Sequence, residues 1–111
     1  MLERKIEFIS LEKMAELIKR CQLLVNASPV GMQEGDPSPI DKKLLHNELY
    51  VYDVIYNRET QLIKDTKLLF GDDHASGGLG MLLYQGARSF ELWTGRKAPV
   101  ETMRKALLGV L

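Results

Sequence analysis

Apolar residues recur three and four positions apart between Gly77 and Gly95, the spacing that places side chains on one face of an α-helix. Met81, Tyr84 and Leu92 lie off this stripe, so the predicted helix carries apolar side chains on more than one face. A helix of that kind is normally buried between two layers, and we expect the same here. The stripe itself consists of Leu79, Leu82, Leu83, Ala87, Phe90 and Trp93.

Gln85 is an uncharged polar residue in the middle of this apolar helix. Burying an amide without hydrogen-bond partners costs about 1–3 kcal/mol. Two interpretations follow from its position. Either the side chain has partners within the protein, or it faces a cleft and binds a ligand.

Two stretches of strand length precede this helix. Residues 22–27 form a largely apolar run, typical of a strand in a parallel sheet that helices cover on both faces. Residues 49–56 are rich in tyrosine and β-branched side chains and predict a second strand. Asp53 lies inside it and needs hydrogen-bond donors if it is buried. Ala75 and Ser76 are candidates for a very short third strand.

Helical patterns alternate with these strands. They cover residues 11–18, where Ser10 is a candidate cap, and residues 60–70, where Thr60 is the cap and Gly71 the end. A short helix is expected from residue 39 to 45, followed by His46 as a solvated cation, and a last helix begins at Pro99. This order of strands and helices predicts an α/β fold with a parallel sheet of two or three strands.

Length and composition exclude several classes of protein. The chain has 111 residues, the size of one small domain, and its 15 basic side chains balance 15 acidic ones. This balance favours neither nucleic acid nor a membrane surface as a partner. There is no apolar run long enough to span a bilayer and no secretion signal, and the single Cys21 excludes an internal disulfide. We therefore expect a cytoplasmic protein.

The candidate chemistry is sparse. Asp72, Asp73 and His74 are adjacent, and we interpret them as a solvated acidic loop, because three adjacent residues rarely converge on one ion. No metal site is predicted. Small polar residues follow the first predicted strand at Asn26, Ala27 and Ser28, and open α/β sheets bind ligands at the carboxyl ends of parallel strands.

Three motifs resemble, in order and spacing, the C-terminal portion of shikimate dehydrogenase: NASPVGM, YDVIYNRETQL and GGLGMLLYQGARSFELWTG. The resemblance runs from about Ile6 to the end of the chain. Members of this family use NADP to reduce 3-dehydroshikimate to shikimate in aromatic amino-acid synthesis, and quinate/shikimate dehydrogenases are relatives. The resemblance implies that residues 1–76 form the C-terminal half of a Rossmann-like NADP-binding domain. Residues 77–111 would be two C-terminal helices that return to the catalytic domain.

The resemblance also assigns roles to eight residues. Val54 would contact the nicotinamide end of NADP through its backbone, and Gly78 would let the cofactor approach the start of the helix. Gln85 would hydrogen-bond a substrate hydroxyl, which agrees with the cleft interpretation above. The implied cofactor residues are Asn26, Ala27, Ser28, Met32, Val54 and Gly78, and the implied substrate residues are Tyr56 and Gln85.

The sequence also departs from the family pattern. Arg58 stands where relatives usually have Pro, Gln61 where they often have Pro, and Gly77 where they commonly have Asp. The first two should change the rigidity of a turn more than the chemistry, whereas the third affects charge near the substrate. The family's catalytic Lys and Asp, and its glycine-rich pyrophosphate turn, belong to parts that have no match in this sequence. We therefore expect a fragment with an incomplete NADP site, no catalytic residue and no dehydrogenase activity of its own.

An alternative is a stand-alone, non-catalytic binding or oligomerisation module on a Rossmann-like scaffold. In either case the two C-terminal helices would lack their partner domain, and exposed apolar patches of that kind mark interaction surfaces. We expect a homo-oligomer, with a two-fold dimer formed through these helices.

Overall fold

The computed structural model describes residues 5–110, and its elements confirm the α/β class. Three parallel strands lie in the order β1-β2-β3. They are β1 (Leu23–Asn26), β2 (Tyr50–Asp53) and β3 (Ala75–Ser76). The helices are α1 (Met14–Ile18), α2 (Gln61–Phe70), α3 (Leu79–Thr94) and α4 (Val100–Val110), with short 3-10 helices at Leu11–Lys13, Lys42–Leu44 and Asp72–His74.

One face of the sheet forms the core. The register aligns Leu24 with Val51 and Val51 with Ala75, and parallel partners point to the same side of a sheet. Val51 and Ala75 are buried there. The buried face of α2, made of Leu62, Ile63 and Thr66, packs in the same layer.

The other face of the sheet is largely open, so the prediction that helices cover both faces of β1 is wrong. Leu23 is 58% exposed and Val25 is 49% exposed, and their neighbour Tyr50 is exposed as well. Strand β1 is also an edge strand of this sheet. The apolar run of residues 22–27 therefore identified the strand correctly, but the helices that the structure describes cover only one of its faces.

Helix α2 begins and ends where its sequence signals predicted. The Thr60 hydroxyl accepts a hydrogen bond from the Ile63 amide at 3.4 Å, and Gly71 ends the helix with a φ of 108°. Leu69, near the end of α2, is half exposed, since the buried residues of this helix lie in its first two turns.

Helix α3 is less buried than its apolar pattern predicts. Only Leu83 and Ala87 are buried, whereas Trp93 is 85% exposed. Helix α4 packs along one side of α3. The Ala98 amide, just before α4, donates to the Glu91 carboxylate, and Arg104 in α4 donates to the Tyr84 hydroxyl at 3.1 Å. That hydrogen bond raises the pKa of the Arg104 guanidinium above its ordinary value. The expected second covering layer is absent among residues 5–110.

Three smaller expectations have different outcomes. The Ser10 side chain makes no capping hydrogen bond, and residues 5–9 before it have no regular secondary structure. His46 is half-buried rather than fully solvated, with Nε2 2.9 Å from the Ile18 carbonyl oxygen. Within residues 5–110, no helix combines the length and the apolar character that crossing a membrane requires.

Candidate functional site

A cavity of about 350 Å³ lies at the carboxyl ends of β1 and β2. This is the edge at which open parallel sheets bind ligands. Five of the eight predicted site residues line it, namely Ala27, Ser28, Met32, Val54 and Tyr56. Pro29, Ile55 and Asn57 complete the lining and were not predicted. The loops after the two strands thus converge as the sequence analysis expected.

The Asp53 carboxylate connects the segments beneath this cavity by hydrogen bonds. Asp53 is fully buried, and its Oδ2 accepts hydrogen bonds from Thr60 Oγ1 at 2.8 Å and from Asn26 Nδ2 at 3.2 Å. Its Oδ1 accepts from the Ile55 amide at 3.1 Å. The expected requirement for donors is therefore met, and one carboxylate joins the ends of both strands to the start of α2.

Asn26 lies beneath the cavity rather than in its lining. The side chain is buried, and its Oδ1 accepts from the Ser28 amide at 3.1 Å and from the Ser28 hydroxyl at 2.6 Å. Its Nδ2 also donates to the Val30 carbonyl at 3.1 Å. These contacts fold the chain after β1 into a tight turn that presents Ala27 and Ser28 to the cavity.

The loop after that turn is held by two charged side chains. Asp36 Oδ2 accepts from the amides of Gly31 at 3.0 Å and Gln33 at 3.1 Å. Arg58 Nη1 donates to the carbonyl of Gly31 at 3.4 Å and to that of Gln33. Met32 lies between these two anchored residues. Neither Asp36 nor Arg58 was predicted as a site residue. The Arg58 contacts reach carbonyls 25 and 27 positions away and leave no periodic signal in the sequence.

Gly78 lies at the junction of α3 with the end of β2. Its amide donates to the Ile55 carbonyl at 3.0 Å, and a Cβ added to it would lie 2.0 Å from the Val54 carbonyl oxygen. A second cavity of about 200 Å³ adjoins this junction, and its lining includes Gly78, Tyr56 and Arg58. The close backbone approach by itself requires glycine here. The cofactor role assigned to Gly78 stays a prediction.

Gln85 is exposed on α3, and its predicted role in binding a substrate hydroxyl stays a prediction. Nε2 donates to the Leu82 carbonyl of the same helix at 2.9 Å. The residue lies outside both cavities and, at 1.5 Å of rise per residue, about 10 Å along the helix axis from Gly78. The structure therefore brings Tyr56 and Gly78 to one place but leaves Gln85 apart from them.

No cluster of metal-ligating side chains occurs in the part of the chain that the structure describes. Asp72 and Asp73 are exposed, and His74 is half-buried with Nδ1 3.3 Å from the Leu49 carbonyl. The lining of the 350 Å³ cavity contains no basic or acidic side chain, and its polar groups are those of Ser28, Tyr56 and Asn57. The arrangement suits a largely uncharged, flat group better than a phosphate.

Comparisons with known proteins agree on one family. Residues 78–108 match the family model described as the Shikimate 5'-dehydrogenase C-terminal domain. Shikimate dehydrogenase (NADP(+)) of Methanothrix thermoacetophila is 38% identical over 106 residues, which cover 96% of this chain and 39% of that protein.

Solved structures extend the similarity to the fold. Quinate dehydrogenase from Corynebacterium glutamicum, in complex with NAD, superposes with a TM-score of 0.80 at 29% identity, over 88% of this chain and 34% of that one. Shikimate 5-dehydrogenase from Thermus thermophilus, in complex with NADP(H) and shikimate, superposes with a TM-score of 0.74 at 32% identity. The match covers 93% of this chain and 38% of that one. The chain thus spans less than two fifths of the length of these two structures.

Proposed function

Because the chain belongs to the shikimate dehydrogenase family, we propose that it supplies the C-terminal portion of an NADP-dependent enzyme that interconverts 3-dehydroshikimate and shikimate. Its three parallel strands are part of a Rossmann-like sheet. The observation that carries the proposal is the cavity at the ends of β1 and β2, where Ala27, Met32, Val54 and Tyr56 meet. Ligands bind open α/β sheets at this edge.

The lining of this cavity fits the nicotinamide end of NADP. Ala27, Pro29, Met32 and Val54 offer apolar walls to a flat ring, and the lining has no basic side chain to bind phosphates. The Val54 amide already donates to the Asn26 carbonyl at 3.1 Å, so a backbone contact from Val54 to the cofactor has to use the carbonyl. When bound, nicotinamide supplies hydride transfer, while these residues bind and orient the ring.

We assign the substrate side to Tyr56 and Gln85. Tyr56 is exposed and lines both cavities, so it lies where a substrate would meet the nicotinamide end. Gln85 Nε2 uses one hydrogen for the Leu82 carbonyl, which leaves a second hydrogen and Oε1 for a substrate hydroxyl. On this assignment residues 77–111 face the catalytic domain of the family, and residues 1–76 belong to the cofactor domain.

The isolated chain should have no dehydrogenase activity. General acid–base catalysis requires a titratable group within hydrogen-bond reach of the reacting oxygen, and the family's catalytic Lys and Asp have no match in this sequence. Among the described residues that line the 350 Å³ cavity, the side chain of Tyr56 alone is titratable, and it is assigned here to substrate binding. An assay of NADPH formation with shikimate and NADP⁺ should show no turnover above background. Clear turnover by the purified chain would contradict this part of the proposal.

Binding tests the site separately from activity. In ¹H–¹⁵N spectra, NADP⁺ should shift the amide signals of Ala27, Ser28 and Val54, which lie around the cavity. The signals of α4 serve as an internal control, because that helix contributes no residue to the lining. Shifts confined to other regions, or no shifts at millimolar NADP⁺, would refute the assignment of the cofactor site.

The second candidate function, a non-catalytic oligomerisation module, is favoured by the exposed apolar side chains of the C-terminal helices. They include Leu92, Trp93, Leu108 and Val110. We expect a homodimer through α3 and α4, which light scattering should detect and the Trp93→Ser variant should weaken. Arg96→Ser is the matched control in the neighbouring turn. A wild-type monomer at high concentration would exclude this interface.

A further inference from the structure

The backbone on both sides of Met32 is held by two side chains of opposite charge. The Asp36 carboxylate accepts from the amides of Gly31 and Gln33, at 3.0 and 3.1 Å. The Arg58 guanidinium donates to the carbonyls of the same two residues. One anion and one cation thus bind four backbone groups that belong to no helix or strand, and the Gln33 carbonyl also accepts from the Asp36 amide at 3.1 Å. Hydrogen bonds to charged groups are stronger than those between neutral groups.

Gly31 also fixes how close this loop lies to the core. Its φ is 111°, a conformation that favours glycine. A Cβ built there would lie 3.2 Å from side-chain atoms of both Ile55 and Thr60, so the loop backbone already packs against the exit of β2 and the start of α2. Ile55 and Thr60 therefore limit movement of the loop toward the core. Arg58 restrains it from moving outward, and Asp36, which belongs to the same loop, holds the shape of the loop itself.

Arg58 connects the two walls of the 350 Å³ cavity. It follows residues 54–57, which form the wall after β2, and its guanidinium binds the loop that carries Met32 in the wall after β1. The Met32 side chain is 50% exposed, so its position depends on how its neighbours in this loop are held. The distance between the walls, and hence the width available to a flat ring, depends on this connection.

We propose that Arg58 is a positioning residue for the nicotinamide end of the cofactor. Together with Asp36 it holds Met32 at the width at which a nicotinamide ring fits between Met32 and Val54. The inference rests on the proposed function of the cavity. Both carbonyls accept from the same guanidinium nitrogen, Nη1, which carries two hydrogens. The ammonium group of lysine could donate to the same carbonyls, but from a more flexible side chain that fixes the loop less firmly.

The test uses the full chain with ¹³C-labelled methionine methyl groups and oxidised nicotinamide mononucleotide as the probe. The Met32 signal is identified with a Met32→Leu variant and followed in a titration. Arg58→Ala should raise the dissociation constant about tenfold, the factor set by the loss of one charged hydrogen bond. Arg58→Lys should fall between Arg58→Ala and wild type, and the exposed Arg96→Ala should match wild type.

Asp36→Ala provides an independent check on the same loop. It should weaken binding to a similar extent, and the double variant Asp36→Ala/Arg58→Ala should be little weaker than either single variant, because both side chains act through one loop. If each substitution instead lowered the stability of the chain independently, the double variant would show the product of the two single losses of affinity. Multiplicative losses would therefore count against a shared positioning role.

The NMR relaxation of the Met32 methyl group without ligand tests the restraint by Arg58 separately from the proposed function of the cavity. If wild type shows no shift with the mononucleotide or with NADP⁺, the proposed function fails, and the restraint is judged by relaxation alone. Greater Met32 mobility in Arg58→Ala than in Arg96→Ala supports the restraint. Wild-type affinity and wild-type Met32 mobility in Arg58→Ala would overturn the inference.

Discussion

Replacing Gly78 with alanine tests whether the start of α3 must lie against the backbone that leaves β2. An added Cβ would lie 2.0 Å from the Val54 carbonyl oxygen, 2.4 Å from its carbonyl carbon and 2.9 Å from its Cα. The Gly78 backbone, with φ of −82° and ψ of 3°, is accessible to alanine. The expected effect is therefore steric and not conformational.

The magnitude follows from how far the two segments must separate. Carbon and carbonyl oxygen approach to about 3.3 Å at closest, so the segments must move apart by about 1 Å. Overpacking of this kind costs about 1–3 kcal/mol, and losing the hydrogen bond from the Gly78 amide to the Ile55 carbonyl adds about 1 kcal/mol. For a chain of this size, a total of about 2–4 kcal/mol lowers Tm by roughly 10–30 °C.

Thermal unfolding followed by circular dichroism measures the difference, and Gly80→Ala is the matched control. Gly80 lies two residues further along the chain, and nothing stands within 4 Å of an added Cβ. Alanine there should leave Tm unchanged or raise it, since alanine favours a helix over glycine by up to about 1 kcal/mol. If the two variants unfold within a few degrees of each other, or less than about 0.5 kcal/mol apart, the close approach does not hold this junction together.

Three further substitutions test the contacts beneath the cavity by denaturant unfolding. Thr60→Val removes a helix cap and a donor to a buried carboxylate and should cost about 1–2 kcal/mol, whereas Thr60→Ser should cost less because it keeps the hydroxyl. Asp53→Asn replaces one carboxylate oxygen by an NH2 donor that faces existing donors, and it should cost about 1–3 kcal/mol; unchanged stability would refute the role of this carboxylate. Gly31→Ala should destabilise more than Gly35→Ala, because both have positive φ but only Gly31 has close neighbours.

Local signals predicted the elements well because each depends on a few adjacent residues. The Thr60 cap and the Gly71 end bound α2 as expected, and β3 occupies the two residues proposed for it. Both longer strands are shorter than their apolar runs: residues 22–27 contain β1 at Leu23–Asn26, and residues 49–56 contain β2 at Tyr50–Asp53. The residues that follow each strand turn away from the ladder and line the cavity.

Burial could not be predicted in the same way, because it depends on which other segments are present. Val25 and Trp93 belong to patterns typical of buried elements, yet both are exposed. An apolar pattern shows which surface a chain can bury, and not whether a covering layer exists. The same limit applies to a polar residue within an apolar pattern. The place of Gln85 among apolar residues suggested a buried or cleft-facing amide, and the structure places it at an exposed position.

The site was predictable where it depends on strand ends. Residues that follow two parallel strands must meet at one edge of the sheet, and Ala27 and Val54 do so. Arg58 was noted as a departure from the family that should alter a turn's rigidity. Its contacts to the carbonyls of Gly31 and Gln33, residues 25–27 positions away, depend on tertiary geometry that no local pattern encodes.

The two ends of the proposed site differ in what holds them in place. The nicotinamide end is held mainly by hydrogen bonds within residues 26–60, through Asp53, Asn26 and Arg58, and it meets α3 at Gly78, whose amide donates to the Ile55 carbonyl. The substrate end depends on α3, which meets the sheet through the Gly78 amide at its first turn and packs along α4 beyond it. A change that displaces α3 beyond its first turn, with Gly78 kept in place, should therefore weaken contacts made by Gln85 while leaving the cavity beside Val54 intact.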